Sequence, residues 1–328
     1  MNLLRTLSVT LLFTPFVPLA FAQKSLPPTA FKPGQTFFYD VQVRSNRDIH
    51  TVSGVSIPQQ PITGIVDVHG ILQVEALPED SARAPRARRF RTLFVSLVSD
   101  VSSRPRGTKP DTFLTQNERV RSDGKFVDCT IQPNGQITQT SGLDQLASEQ
   151  QTAWREWAAR FSTIYAAQYQ SRKRGEKWNA ESAEISPSPI AGLLWREKSQ
   201  YVRDESCAPL KFAPGESSQV RSPQEPCAVL LTSATLIQKS SQQDSTPPDY
   251  KIKNLKTRGS AKGNNETTLY LSRKSGLLIR ATQTAKQQMD VTIGLANGSN
   301  QVHYTISAQA NSSVELLTEL PFNPDTNP

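Results

Sequence analysis

The segment from Asp144 to Arg174 constrains this chain more than any other, because it alone carries a sustained helical period in a sequence that otherwise alternates like strands. Trp154, Trp157, Ala158, Phe161, Ile164 and Tyr165 recur at spacings of three and four, which sets one wide aromatic stripe on a single helix face. A stripe of that width has to cover apolar surface elsewhere. Ser148 followed by Gln151 reads as a capping box. Arg172, Lys173 and Arg174 before Gly175 read as a cation-rich last turn with a glycine free to take positive φ.

What the stripe covers is written in the period-two segments. Phe37, Tyr39, Val41 and Val43 share one face of a strand over 36–44, and Val66, Val68, Leu72 and Val74 share one face of a strand over 62–76. Phe90 to Val101 is apolar on both faces, as a central strand would be. Pro133-Asn134-Gly135 between two alternating runs predicts a hairpin, and Ala228 to Gln238 predicts a further apolar strand. In the last third, Tyr250–Lys256, Thr267–Arg273, Leu277–Gln283, Gln288–Ile293 and Gln301–Ala310 read as five short strands of an antiparallel meander. The expected fold class is therefore mainly β (α+β): a large curved antiparallel sheet or half-barrel with one major amphipathic helix packed across it. Residues 23–328 read as a single β-rich domain with a flexible, proline-rich N-terminal arm (23–35) and a C-terminal tail (319–328).

The first 22 residues have the parts of a secretory signal peptide: Arg5, an apolar run from Leu7 to Phe21, and Ala20-Phe21-Ala22 as the cleavage site. Pro15 and Pro18 break that run, and no later stretch is long and apolar enough to span a bilayer. The expected product is exported, periplasmic or extracellular. Removing Arg5 with the signal lowers the formal charge from +8 to +7. Part of the excess lies in one run, Arg83, Arg86, Arg88, Arg89 and Arg91, which reads either as a solvated loop or as a surface for anionic headgroups or glycans. Export and the lack of interleaved aromatics exclude nucleic acid as its partner. Of three cysteines, Cys129 alternates with Val127 and Ile131 and should point into the core, whereas Cys207 and Cys227 flank a Pro/Ser/Glu-rich loop and are the expected disulfide.

Chemistry is sparse. The sequence has His50, His69 and His303 only, and it lacks a Gly-x-Ser-x-Gly elbow, a His-Glu-x-x-His pair and a phosphate loop. Asp67 and His69, two apart on one strand face, would orient an imidazole for a serine or offer two metal ligands. The reading that follows has no catalytic residue, no metal and no cofactor. Trp154, Trp157, Phe161 and Tyr165 are either core or the wall of an apolar cavity between helix and sheet. The first implies a protein-interaction module of the envelope with a dry core. The second implies a carrier or sensor for a lipid, lipoprotein or acyl chain. A hydrolase with an unrecognised site is the third alternative.

The hairpin Leu269-Tyr270-Leu271-Ser272-Arg273-Lys274-Ser275-Gly276-Leu277-Leu278-Ile279-Arg280 resembles one recurrent in bacterial envelope proteins of the LolA/RseB/LppX-like superfamily. There an aromatic-bearing strand enters a turn ending in Gly, and a strand with a basic residue returns. Ser272 and Leu278 stand where that hairpin usually has Asp and Pro. The resemblance implies a curved half-barrel whose concave side is plugged by helices, with acyl chains bound between. It carries no ligand-contact residue over to this chain.

Overall fold

Period-two alternation persists through polar stretches of this sequence, and the strands are correspondingly long. The computed structural model describes residues 25–28, 31–53, 62–79, 86–105, 114–120, 124–184, 188–212, 219–239 and 245–320. The signal segment and Arg83 lie outside them. In chain order the elements are β1 (Thr36–Ser53), β2 (Ile62–Leu77), β3 (Arg88–Pro105), β4 (Leu114–Val120), β5 (Phe126–Ile131), β6 (Ile137–Ser141), α1 (Ser148–Tyr169), β7 (Lys177–Ala183), β8 (Leu193–Cys207), β9 (Leu210–Phe212), β10 (Gln219–Arg221), β11 (Glu225–Gln238), α2 (Pro248–Ile252), β12 (Leu255–Ser272), β13 (Leu278–Leu295) and β14 (Val302–Leu317).

All fourteen strands belong to one open sheet, whose main path runs β6-β5-β3-β2-β1-β14-β13-β12-β11-β8-β7, antiparallel at each step. The join between β1 and β14 brings the two ends of the chain together at the sheet centre, with Tyr39 opposite Leu316 and Val41 opposite Val314. The expected architecture, a large antiparallel sheet crossed by one major helix, is what forms.

Several boundaries differ from the sequence reading. The five short strands of the last third are three long ones, because residues read as turns continue the ladder. Gly259 sits mid-strand, where a side chain would strike the Asp290 carbonyl of β13, so it marks close backbone approach and not a turn. Residues 250–252, expected as the start of a strand, lie in the single turn α2, and β4 and β7 arise in polar stretches where no strand was expected. The helix is shorter than 144–174. Ala147 occupies the N-cap, its N–H donating to the Gln150 side chain at 3.0 Å, so the box starts one residue before Ser148. At the other end Ser171 takes the left-handed conformation just past the last turn, with φ 51°, and Gly175 takes the expected positive φ, 85°, four residues further on.

The N-terminal arm is also docked where a flexible segment was expected. Leu26 is buried, its N–H donates to the Arg172 carbonyl, and Phe31 stands edge-on to Phe37 and Phe90 with centroids 5.6 and 5.1 Å apart. Of the C-terminal tail, Leu320 packs on a small cluster with Leu210, Leu317 and Ile71 on the outward face of the sheet.

Candidate functional site

The odd-numbered residues of β1 and the even-numbered residues of β14 share one face with Val68, Leu72 and Val74 of β2, and α1 lies across that inward face. The aromatic stripe is fully used in doing so. Trp154, Trp157 and Phe161 are 3, 0 and 4 % exposed. Trp157 stacks on Phe161 at 4.9 Å and meets Phe90 edge-on at 6.3 Å, and Phe161 meets Tyr39 edge-on at 5.7 Å. Trp154 Nε1 donates to Thr92 Oγ1 at 2.9 Å, tying the helix to β3. Tyr165 lies at the margin, its hydroxyl donating to the Arg86 carbonyl. Burying each such ring is worth roughly 1.5–3 kcal/mol, so the stripe is the main adhesive between helix and sheet.

Beyond the helix the inward face continues. Along β13, Gln283, Ala285, Gln287 and Met289 are half-buried while Thr284, Lys286, Gln288 and Asp290 between them are exposed, and β14 repeats the pattern with Ile306, Ala308 and Ala310. The enclosing agent is the sheet itself. Glu184, just past the edge strand β7, accepts from Gln287 Nε2 of β13 at 2.7 Å, although β13 is four places away in strand order, and it accepts from Trp195 Nε1 at 2.9 Å. The edge therefore curls over the inward face. The Trp195 ring lies above Gly263 of β12, where a side chain would crowd it. Ile190, Leu193 and Trp195 close a second apolar cluster with Leu236, Val291 and Tyr304.

Between that cap and α1 runs a strip floored by Ala285, Ala308 and Ala310 with Val66 and Ile49 alongside, and on β1 by Ser45 opposite Ala310 and by the exposed Arg47 opposite Ala308. Its border on the helix side is polar: Arg160 is bonded to Glu156 at 2.7 Å and to Gln283, and Ser312 donates to Glu156 at 2.9 Å. Small apolar side chains beside a guanidinium and a polar lip suit a molecule with a hydrocarbon body and a polar head. The sequence reading missed this strip because residues 284–287, between the strands expected at Leu277–Gln283 and Gln288–Ile293, look like a break. The signal that would have found it is the uninterrupted period-two pattern from Gln283 to Ile293.

The basic run is largely engaged within the protein. Arg86 donates to the Tyr169 hydroxyl at 2.9 Å, Arg88 pairs with Glu79, and Arg91 forks onto both Asp128 oxygens at 2.8 and 2.9 Å while stacking on Phe126. Arg89 reaches the Pro78 carbonyl at 3.5 Å. The expected Cys207–Cys227 disulfide is present, and Cys129 is buried with its thiol pushed up to about 12 by desolvation.

Asp67 and His69 lie on the outward face, but the imidazole is held by a residue the sequence did not suggest. His69 Nε2 is 3.0 Å from Asp40 Oδ1, a buried carboxylate that also takes Gln42 Nε2 at 3.3 Å, and among the described residues no serine pairs with His69. The Asp40 hydrogen bond, opposed by partial burial and aided by the charges of Asp40 and Asp67, raises the His69 pKa above 6.5. A histidine raised on folding adds stability below its unfolded value, and that contribution is lost as pH climbs through the folded value. Asp40→Asn should therefore lower the His69 midpoint in an NMR titration markedly and Asp67→Asn only slightly. Equal shifts would contradict this assignment. Among the described residues, no group of three His, Cys, Asp or Glu side chains gathers as a metal site.

No protein-family model and no curated protein matches the chain, so the likeness to the LolA/RseB/LppX-like superfamily has no family-level support. Eighteen solved chains overlap it, among them the following two. A structure titled as lipid–protein interactions in lipovitellin has TM-score 0.37 and 9 % identity over 88 % of this chain and 25 % of its own, so the chain spans a quarter of that protein's length. OpdQ of Pseudomonas aeruginosa has TM-score 0.21 and 6 % identity over 86 % of this chain and 99 % of its own. Overlaps of this size carry no inference about ligand or partner.

Proposed function

We propose that this protein is a non-catalytic carrier or sensor that holds a hydrophobic ligand, a lipid or acyl chain, on the inward face of its curled sheet beside α1. The observation that carries the reading is the strip of small, half-buried apolar side chains between α1 and the Ile190–Trp195 cap. Hydrocarbon laid on it would leave water at about 25 cal/mol per Å² of apolar surface covered. In this reading the wall beside the ligand is the polar edge of α1 at Glu156 and Arg160, and the aromatic stripe holds that helix in place. A disulfide, the chemistry of an oxidising compartment, supports export, and among the described residues no helix is long and apolar enough to cross a membrane.

The test is to express the chain with its own leader in a Gram-negative host, purify it without detergent and extract it for lipid mass spectrometry. Near-stoichiometric lipid is expected. Ala308→Trp, which fills the floor at a half-buried position, should lower the lipid content at least tenfold with the circular dichroism spectrum retained. Folded, lipid-free wild type would sink the carrier reading. The densely packed helix then favours the alternative, an envelope interaction module with a dry core.

A further inference from the structure

The two ends of the sheet present charge differently. At the end that carries the turn between β2 and β3, Arg86, Arg88, Arg89 and Arg91 are engaged within the protein. At the opposite end β11 connects to β12 through α2, and there Ile252 is 84 % exposed, more than any other large hydrophobic side chain among the described residues. Pro248, four residues earlier and on the same side of this helical turn, is exposed as well. α2 buries none of its five residues, so the core does not account for an isoleucine here. From Ser245 to Lys256 the charges are three lysines, Lys251, Lys253 and Lys256, against the single Asp249, and all four side chains are exposed. Among the described residues Lys253 and Lys256 make no ion pair. The protrusion is fixed by hydrogen bonds. Thr257 N–H donates to Thr246 Oγ1 at 2.9 Å, Ser245 Oγ donates to the Thr257 carbonyl at 3.1 Å, and Ala296 N–H donates to the Asn254 carbonyl at 3.0 Å. Ala191 N–H, beside the Ile190–Trp195 cap, donates to the Ser245 carbonyl at 2.8 Å and fastens this end to the cap.

We propose that α2 and its flanks dock on an anionic lipid bilayer, with Ile252 and Pro248 entering the headgroup layer and Lys253 and Lys256 lying against lipid phosphates. An apolar side chain held out in water between cations is the composition of an interfacial anchor, in which burial of apolar surface adds to attraction by anionic headgroups. A protein groove that takes a helix reads anchors at i, i+4 and i+7, over about two turns. α2 is a single turn, and a bilayer demands no such length. One isoleucine and a few lysines give shallow, reversible contact, as a myristoyl chain alone does. The contact brings the cap side of the inward strip to the membrane surface, and it stands whether or not that strip binds lipid.

The experiment is co-sedimentation of the purified full chain with vesicles of phosphatidylethanolamine and phosphatidylglycerol, and with vesicles of phosphatidylcholine alone. Binding to the anionic vesicles is expected, with phosphatidylcholine about tenfold weaker and high salt weakening the anionic binding. Ile252→Ser and the double variant Lys253→Gln/Lys256→Gln should each weaken it about tenfold with the circular dichroism spectrum unchanged, because all three side chains are exposed. Ile252→Trp should strengthen it, a gain that no folding defect can give. No binding to anionic vesicles, as when the turn docks a protein instead, equal binding to phosphatidylcholine, or binding unchanged in Ile252→Ser would overturn the proposal. So would binding that survives both variants and is lost in Arg89→Gln, which would assign the contact to the basic run.

Discussion

Trp157→Ala is expected to cost about 3–5 kcal/mol of unfolding free energy, the range for truncating a buried tryptophan. The ring is fully buried and touches Trp154, Phe161 and Phe90, so its removal leaves a hole at the centre of the contact between α1 and the sheet. The measurement is a urea titration followed by circular dichroism, with the midpoint falling and the slope unchanged. A loss below about 1 kcal/mol would mean that the stripe is not the core anchor its packing indicates. Polar atoms supply a companion test. Trp157 Nε1 and the Tyr39 hydroxyl are both buried without hydrogen-bond partners, and burial pushes the Tyr39 phenol well above its ordinary pKa. Tyr39→Phe removes an unsatisfied group while keeping the ring against Phe161, so it should be neutral or stabilising by up to about 1 kcal/mol. If the ligand instead lies between helix and sheet, Trp157→Ala loses lipid while still folded; in the proposed geometry the folded fraction keeps it.

The contrast between these two positions shows where the sequence was readable. Trp157, Phe161, Tyr39 and Val41 announce themselves by period, because core packing repeats at 3.6 residues on a helix and at 2 on a strand. From that alone the helix, the sheet and their contact follow, and the Tyr270–Arg280 hairpin does too: Arg280 stacks over the Tyr270 ring at 4.4 Å across the turn. What did not follow depends on curvature. Gln287 meets Glu184 only because the sheet edge curls across four strand positions, and a local pattern holds no information about which distant strand folds over which. Gly259 and Gly263 were the available clue. Both fall between two of the expected short strands, and both are places where a neighbouring backbone or the Trp195 ring approaches a strand that does not stop. Phe31 was missed for a related reason: a proline-rich segment has no period, so nothing local says that its one aromatic ring enters the core. Asp40 was missed because it sits on the polar side of β1, and its burial comes from the outward-face packing and not from its own strand.

Replacing Cys207 and Cys227 together by alanine is expected to destabilise the protein by roughly 3 kcal/mol, the loop-closure estimate for a bridge spanning some 20 residues. Position makes the effect local first. Cys207 ends β8 and Cys227 lies in β11, and the bridge holds the excursion that carries β9 and β10. From that excursion Leu210 covers Ile71 and Leu317 on the outward face, and Arg221 pairs with Glu315 of β14 at 2.9 Å. Without the bridge these contacts must close a free loop, and their net value is small because the ion pair is partly exposed. Hydrogen exchange should therefore rise in the described residues 207–212 and 219–221 before it rises in β11, which stays paired with both β8 and β12. Alanine is the right replacement at Cys227, which is fully buried and would strand a serine hydroxyl. Cys129 acts as an internal control: buried, with its thiol pushed up to about 12, it should resist alkylation until the protein unfolds. A double variant whose urea midpoint equals wild type would show that the ladder, and not the bridge, holds this end of the sheet. A lowered midpoint with exchange confined to the excursion would show the bridge acting as a clasp on the outward face.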